Sequence, residues 1–226
     1  MTGRSSLARI WLWRAWVVAN MLGEFVGFGL GFGTGAALVA LFPPAEGVAG
    51  LGITIAVAAV AGAIEGLTVG IAQWRVLRTV LARVTGRQWV GATVLGAVIA
   101  WIAGMMIGSN AGEVFADGGD PGVLMMVAAG ASIGALAGVL LALPQWLVLR
   151  RAASSAALWI PAHALGWAVG IVISFVGVDL AGRATSMALS VGVIAASAVA
   201  MGAAAAAISG LALVRMVEFS TPPRIP

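Results

Sequence analysis

Two glutamates, Glu24 and Glu65, lie inside long apolar stretches of the chain. A carboxyl group within an apolar span is costly to bury, so each glutamate marks a candidate functional site. Glu24 follows Trp16 by eight residues and Glu65 precedes Trp74 by nine, which is roughly 12–14 Å along a helix axis. On two antiparallel neighbouring helices, both carboxyls would therefore reach the same depth.

Two adjacent carboxyls in a low dielectric cannot both ionise cheaply, so we expect the pair to share a proton. This chemistry suits a proton- or cation-coupled site with Asn20 and Thr68 as hydrogen-bond partners. The alternative is a neutral acid pair that joins two helices and contributes about 1 kcal/mol.

His163 is the single histidine of the sequence. It lies four residues after Trp159, at a depth of about 6 Å along the same helix, and it completes the set of candidate polar residues inside the membrane. We expect an interhelical hydrogen bond there. A metal site needs several ligating side chains, and the sequence offers no further ligands beside this single histidine, so neither a metal nor a cofactor is predicted.

The composition excludes a water-soluble globule. Apolar residues make up 62% of the chain and charged residues 9%, whereas a soluble domain averages about 45–50% and about 25%. The mean hydropathy is +1.09, so the lipid bilayer is the first expected partner. The net charge of +4 comes from scattered arginines, so no nucleic-acid partner is expected. The sequence has no cysteine, which excludes disulfides and thiolate chemistry.

Hydropathy predicts an all-α integral membrane protein with a single transmembrane domain over residues 1–226, in which 217–226 form a flexible tail. The predicted spans, each long enough for a bilayer core, are about 16–42, 48–73, 89–110, 122–146, 158–180 and 186–214. Eleven of the twelve arginines fall on one side of these spans. The positive-inside rule therefore predicts that both termini are cytoplasmic.

The chain contains an internal repeat. A tryptophan lies near the start of each odd-numbered span, namely Trp16, Trp89 and Trp159. Each is followed four residues later by a polar residue. The second and fourth spans both end in Gln-Trp-x-x-Leu-Arg, at 73–78 and 145–150. We predict three tandem helical hairpins, the third degenerate, at about 11–78, 88–151 and 158–216.

Glycine-rich hairpins with this ending resemble those of uncharacterised bacterial polytopic membrane proteins. The resemblance rests on the two Gln-Trp-x-x-Leu-Arg ends and on the glycines that precede them. It implies a helical membrane fold in the bacterial cytoplasmic (inner) membrane, and no activity comes with it.

Small residues recur at every fourth position of each span, which permits close small-xxx-small contacts between helices in lipid. The residues predicted to pack in this way include Gly23, Gly27, Gly31, Gly62, Gly66, Gly70, Gly96, Gly104, Gly134, Gly138, Gly166 and Gly170. Tryptophan and arginine at span ends predict anchors at the membrane interface, namely Trp16, Trp74, Arg75, Arg78, Trp89, Trp146, Arg150 and Trp159.

Two functional hypotheses follow. The first is a non-enzymatic scaffold or accessory subunit, in which a stripe left facing lipid pairs with a second copy or with other membrane subunits. The second is a small proton- or cation-coupled carrier, or a substrate-binding transporter component, that uses Glu24 and Glu65. An enzyme is not expected: Ser132 falls in a G-x-S-x-G sequence, but roughly 21 Å from the cytoplasmic edge, too deep for a dyad with His163.

Overall fold

The computed structural model describes residues 2–42, 47–114 and 122–220. These residues form six α-helices and a short 3-10 turn at Ala156–Leu158, with no strand in the described ranges. The helices are α1 Thr2–Leu41, α2 Gly47–Leu77, α3 Gly86–Val114, α4 Gly122–Leu149, α5 Trp159–Gly182 and α6 Met187–Ser220.

The prediction of six apolar membrane spans is confirmed, since all six helices are long and apolar enough to cross a bilayer. The predicted flexible tail is wrong for 217–220, which continue α6, and its remainder, 221–226, lies outside the described residues. Helix α1 also begins well before its predicted span. A salt bridge of 2.8 Å between Arg9 and Glu218 joins its extension to the end of α6.

The six helices form a closed ring. Each helix packs against the helices before and after it in the sequence, and α6 returns to pack against α1. Across the described residues, no other pair of helices brings Cα atoms within 8 Å. The ring therefore encloses an axis that all six helices face.

The hydrophobic core lies at one end of this ring, which we call the arginine-rich end because the start of α1, the end of α6 and the connections 78–85 and 150–158 carry most of the arginines. Both connections fold inward and bury apolar side chains beneath the helices: Leu81, Val84, Ala153 and Ala156. Toward the opposite end, residues 101–108, 122–129 and 187–200 include no buried residue. The ring is thus tightly packed at the arginine-rich end and more open at the other.

Glycines lie where neighbouring helices approach most closely. Gly23 of α1 lies against Val69 of α2, and Gly66 of α2 lies against Val94 of α3. Of the twelve predicted packing glycines, eleven lie against the next helix around the ring. The prediction is wrong for Gly104, where a Cβ in place of the glycine hydrogen would have no neighbour within 4 Å, because α3 and α4 diverge at this level.

We predict that Gly66→Ala destabilises the protein and that Gly91→Ala does not. A Cβ on Gly66 would lie 2.7 Å from the Cα of Val94, so α2 and α3 must separate, at a cost of about 1–3 kcal/mol. Gly91 is exposed on α3 with nothing within 4 Å, and alanine there improves helix propensity by up to about 1 kcal/mol. The melting temperature of each variant can be measured as the temperature at which monodisperse protein is lost from detergent solution. Equal melting temperatures would contradict the close approach of α2 and α3.

Candidate functional site

Every buried polar side chain in the described part of the chain lines one cavity on the ring axis. We call it the polar cavity, and all six helices contribute to it. Its polar side chains are Asn20 and Glu24 from α1, Glu65 and Gln73 from α2, Thr93 from α3, Gln145 from α4, His163 from α5 and Ser209 from α6. Its free volume is about 20 Å³, which is room for about one water molecule.

Three tryptophans close the polar cavity at the arginine-rich end. Trp159 lies edge-on to Trp16 at a centroid distance of 5.5 Å and to Trp89 at 5.8 Å. All three side chains are 0% exposed. The interpretation of this tryptophan triad as lipid-facing anchors is therefore wrong, because the rings pack against one another inside the protein.

Each tryptophan of the triad donates its indole N–H to the helix that packs against it within the ring. Trp89 donates to Oε1 of Gln73 at 3.1 Å, and Trp159 donates to Oε1 of Gln145 at 2.9 Å. Trp16 donates instead to the hydroxyl of Ser209, at 3.1 Å. These bonds join α3 to α2, α5 to α4 and α1 to α6.

The two glutamine amides connect two further neighbouring pairs, α1 with α2 and α3 with α4. Nε2 of Gln73 donates to Oδ1 of Asn20 at 2.7 Å. Nε2 of Gln145 donates to the Thr93 hydroxyl at 3.0 Å and to Oε1 of Gln73 at 3.3 Å. The side-chain oxygens of the amides are therefore already occupied by donors from within the network.

Glu24 and Glu65 meet on the far side of this network from the triad. They are 5% and 6% exposed, and both line the polar cavity. The Trp101 indole donates to Oε2 of Glu65 at 2.8 Å. Oε2 of Glu24 is buried without a hydrogen-bond partner. Two carboxyls buried in one cavity cannot both ionise cheaply, so this acid pair favours a proton on one of its members.

His163 faces the same cavity with a defined tautomer. Its Nδ1 lies 3.2 Å from the backbone carbonyl of Trp159, and because a carbonyl only accepts, Nδ1 must donate. The other nitrogen, Nε2, then carries the lone pair of the neutral ring. The predicted interhelical hydrogen bond is absent, since this bond stays within α5.

A second, larger cavity continues along the axis beyond the acid pair. This apolar cavity has a volume of about 250 Å³, and all six helices contribute to its wall. It shares Glu65, Ala97, Leu141 and Trp167 with the polar cavity. Glu65 is therefore the carboxyl that faces both cavities, and it is the single ionisable residue that lines the apolar one.

The structure brings together four of the five predicted polar residues, Asn20, Glu24, Glu65 and His163. It does not include Thr68, whose hydroxyl donates to the Ile64 carbonyl of its own helix at 2.8 Å. Sequence reasoning missed further members of the site: Gln73, Thr93, Gln145, Ser209 and Trp101. The glutamines follow Gly70 and Ala142 by three residues, which places them on the face that looks toward the neighbouring helix, and this spacing was the available signal.

The remaining predicted anchors occupy the rim of the arginine-rich end. The Arg78 guanidinium lies 5.4 Å from the Trp74 ring, and Arg150 lies 5.1 Å from Trp146. Both arginines and Arg75 are exposed, as a role at the membrane interface requires.

No protein-family model, curated protein or solved structure matches this chain. The functional proposal therefore rests on the chemistry of the axial site.

We predict that Gln145→Leu destabilises the ring by about 1–3 kcal/mol, because the Trp159 indole and the Thr93 hydroxyl lose a buried partner. Gln88→Leu is the matched control, since Gln88 is exposed and bonds only with Thr85. Near-ultraviolet circular dichroism of the buried tryptophans, followed through thermal unfolding, measures the difference. A Gln145→Leu protein that melts with the control would contradict a structural role for the network.

Proposed function

We propose that this chain is a proton-coupled membrane carrier, and that Glu24 and Glu65 jointly hold the coupling proton. The observation that carries the proposal is the collection of every described buried polar side chain in one axial cavity, with two adjoining carboxyls. Ionisable groups inside a membrane protein mark ion and proton pathways by default. The titratable groups facing this site are Glu24 on α1, Glu65 on α2 and His163 on α5, and the other three helices contribute none to its lining.

A proton suits the site better than a metal cation does. A bound cation needs several free oxygens, but the Asn20, Gln73 and Gln145 oxygens already accept hydrogen bonds from the network. No group of three or more histidine, aspartate or glutamate side chains that could hold a metal occurs in the described residues. A proton needs only the acid pair itself.

The scaffold hypothesis receives less support. It requires glycine stripes that remain available to partners, whereas glycines such as Gly27, Gly134 and Gly166 lie against this chain's own helices. A homo-oligomer and other membrane subunits therefore become secondary proposals. We also propose no catalytic role, because Ser132 is exposed and donates to the Ala128 carbonyl of its own helix.

We propose that the ring arose as three tandem hairpins. Gly66, Gly138 and Gly202 lie against residues that each follow a triad tryptophan by five positions: Val94, Ala164 and Met21. Completely buried leucines also recur in the even-numbered helices, as Leu77 and Leu149 at the ends of α2 and α4 and Leu213 in the last third of α6. This correspondence makes Ser209 the counterpart of Gln73 and Gln145, and it supports the view that the third unit is degenerate.

We further propose that the arginine-rich end faces the cytoplasm of a bacterial inner membrane. The one arginine at the opposite end, Arg183, pairs with Asp179 at 2.9 Å, which offsets its charge. The positive-inside rule then favours cytoplasmic termini.

Cysteine labelling tests this orientation directly, because the chain has no cysteine of its own. In intact bacterial cells, we expect a membrane-impermeant maleimide to label Thr185→Cys, at the opposite end, and to leave Arg151→Cys unlabelled. After cell lysis both should react. Labelling of Arg151→Cys alone in intact cells would reverse the proposed orientation.

A pH jump on protein adsorbed to a solid-supported membrane tests the coupling proposal. We expect a transient charge displacement of about one proton per chain, without steady current, because a carrier binds its ion before it moves. Glu24→Gln and Glu65→Gln should each abolish the transient. Glu218→Gln, which removes a carboxyl at the arginine-rich end, should retain it.

Infrared titration of the carboxyl stretch gives an independent readout of the same pair. We expect the band of a protonated carboxyl to disappear reversibly on going from acidic to alkaline buffer. A wild-type protein with no charge transient and an unchanging carboxyl band would overturn the carrier proposal and make the acid pair a structural link between α1 and α2.

A further inference from the structure

We propose that the apolar cavity is a binding site for a small organic cation and that Glu65 is its counter-ion. This inference rests on the proposed carrier function, and it assigns the class of substrate that would exchange with the proton. The cavity is lined by the same six helices and meets the acid pair at Glu65.

Aromatic rings and one carboxyl determine the chemistry of the cavity wall. Phe28, Trp101 and Trp167 line it, and the Phe28 and Trp101 rings lie 5.9 Å apart. Aromatic faces attract ammonium groups, most strongly where water is excluded. No arginine lines either cavity, so an anion would find no partner and would be repelled by Glu65. A neutral solute could donate a hydrogen bond to Glu65 but would lack the charge attraction of a cation.

The volume limits the size of this cation. An apolar cavity of about 150 Å³ accommodates benzene, so by proportion a cavity of about 250 Å³ holds about ten non-hydrogen atoms. This is the size of an ammonium group that carries one aromatic ring or several short alkyl chains. A larger amphiphile would not fit without widening the ring.

The seam between α3 and α4 favours a lipophilic cation over a strongly hydrated one. A narrow apolar groove along this seam shares part of its lining with the cavity, in Ala100, Gly104, Ile133 and Ala137. Only small side chains and one isoleucine therefore separate the cavity from the groove. A solute that partitions into the bilayer reaches the seam directly.

Charge balance links this site to the acid pair. With one shared proton, Glu24 and Glu65 carry one negative charge between them. When the cation binds and the proton leaves the pair as hydronium, two carboxylates and one cation again carry a single negative charge. Exchange of one proton for one cation thus leaves the net buried charge unchanged, because the additional carboxylate is buried together with a counter-ion.

Calorimetric titration with benzyltrimethylammonium tests the proposal, with neopentylbenzene as an uncharged probe of the same shape. In the full chain purified in detergent, we expect saturable binding of the cation and about tenfold weaker binding of the hydrocarbon. Affinity for the cation should rise with pH, because a protonated Glu65 offers no charge. Titrations in two buffers of different ionisation enthalpy should reveal one proton released per cation bound.

Three variants separate the site from general effects on folding. Glu65→Gln should remove the preference for the cation, whereas Glu218→Gln should keep it. Gly104→Leu, which places a side chain at the cavity wall, should weaken binding. Gly91→Leu adds the same side chain to an exposed position of the same helix and should bind as the wild type does.

The outcomes distinguish this inference from the carrier proposal. Absence of cation binding, or equal affinity for the two probes, overturns the cation site. The carrier proposal is then still decided by the charge transient of the acid pair. Saturable binding that Glu65→Gln and Gly104→Leu weaken, but that releases no proton, supports the cation site and contradicts proton coupling.

Discussion

The closure of the ring depends on buried hydrogen bonds between the tryptophan triad and the polar residues of neighbouring helices. Helices in lipid gain no hydrophobic free energy when they associate. Close backbone contact and polar pairing must therefore supply the free energy of association. Three indole N–H groups find acceptors on Gln73, Gln145 and Ser209, while the rings themselves fill the axis. Because each bond joins two different helices, the network links five of the six neighbouring pairs of the ring, and α5 and α6 are held by close packing, as at Gly166 against Ala205.

The acid pair lies in the same buried, polar interior as the network but differs from it in hydrogen bonding. The polar network is almost fully satisfied, as a low-dielectric interior requires, yet one oxygen of Glu24 is left without a partner. Under the proposed tandem-hairpin correspondence, the equivalent positions hold Ala97, Trp167 and Ala137, so the proposed repeat does not require the acids. A group that the scaffold can omit, and that is costly to bury, is more readily explained by function than by packing.

The helices and the depth of the acid pair could be predicted from sequence, because span length and antiparallel order fix both. Glu24 and Glu65 meet as the distances from Trp16 and Trp74 imply. The burial of Trp16, Trp89 and Trp159 could not be predicted, because hydropathy gives depth and says nothing about whether a side chain points toward lipid or toward the axis. The absence of Thr68 from the site follows from the same limit, since its hydroxyl bonds within α2. Gly104 repeats the spacing of the packing glycines, yet α3 and α4 have separated at its level.

The unequal packing of the two ends has a mechanical consequence. The connections at 78–85 and 150–158 and the triad fix the helices at one end, while each helix touches only two neighbours along its length. Fewer side chains are buried at the opposite end, so local separation of the helices is expected to cost less free energy there than at the arginine-rich end.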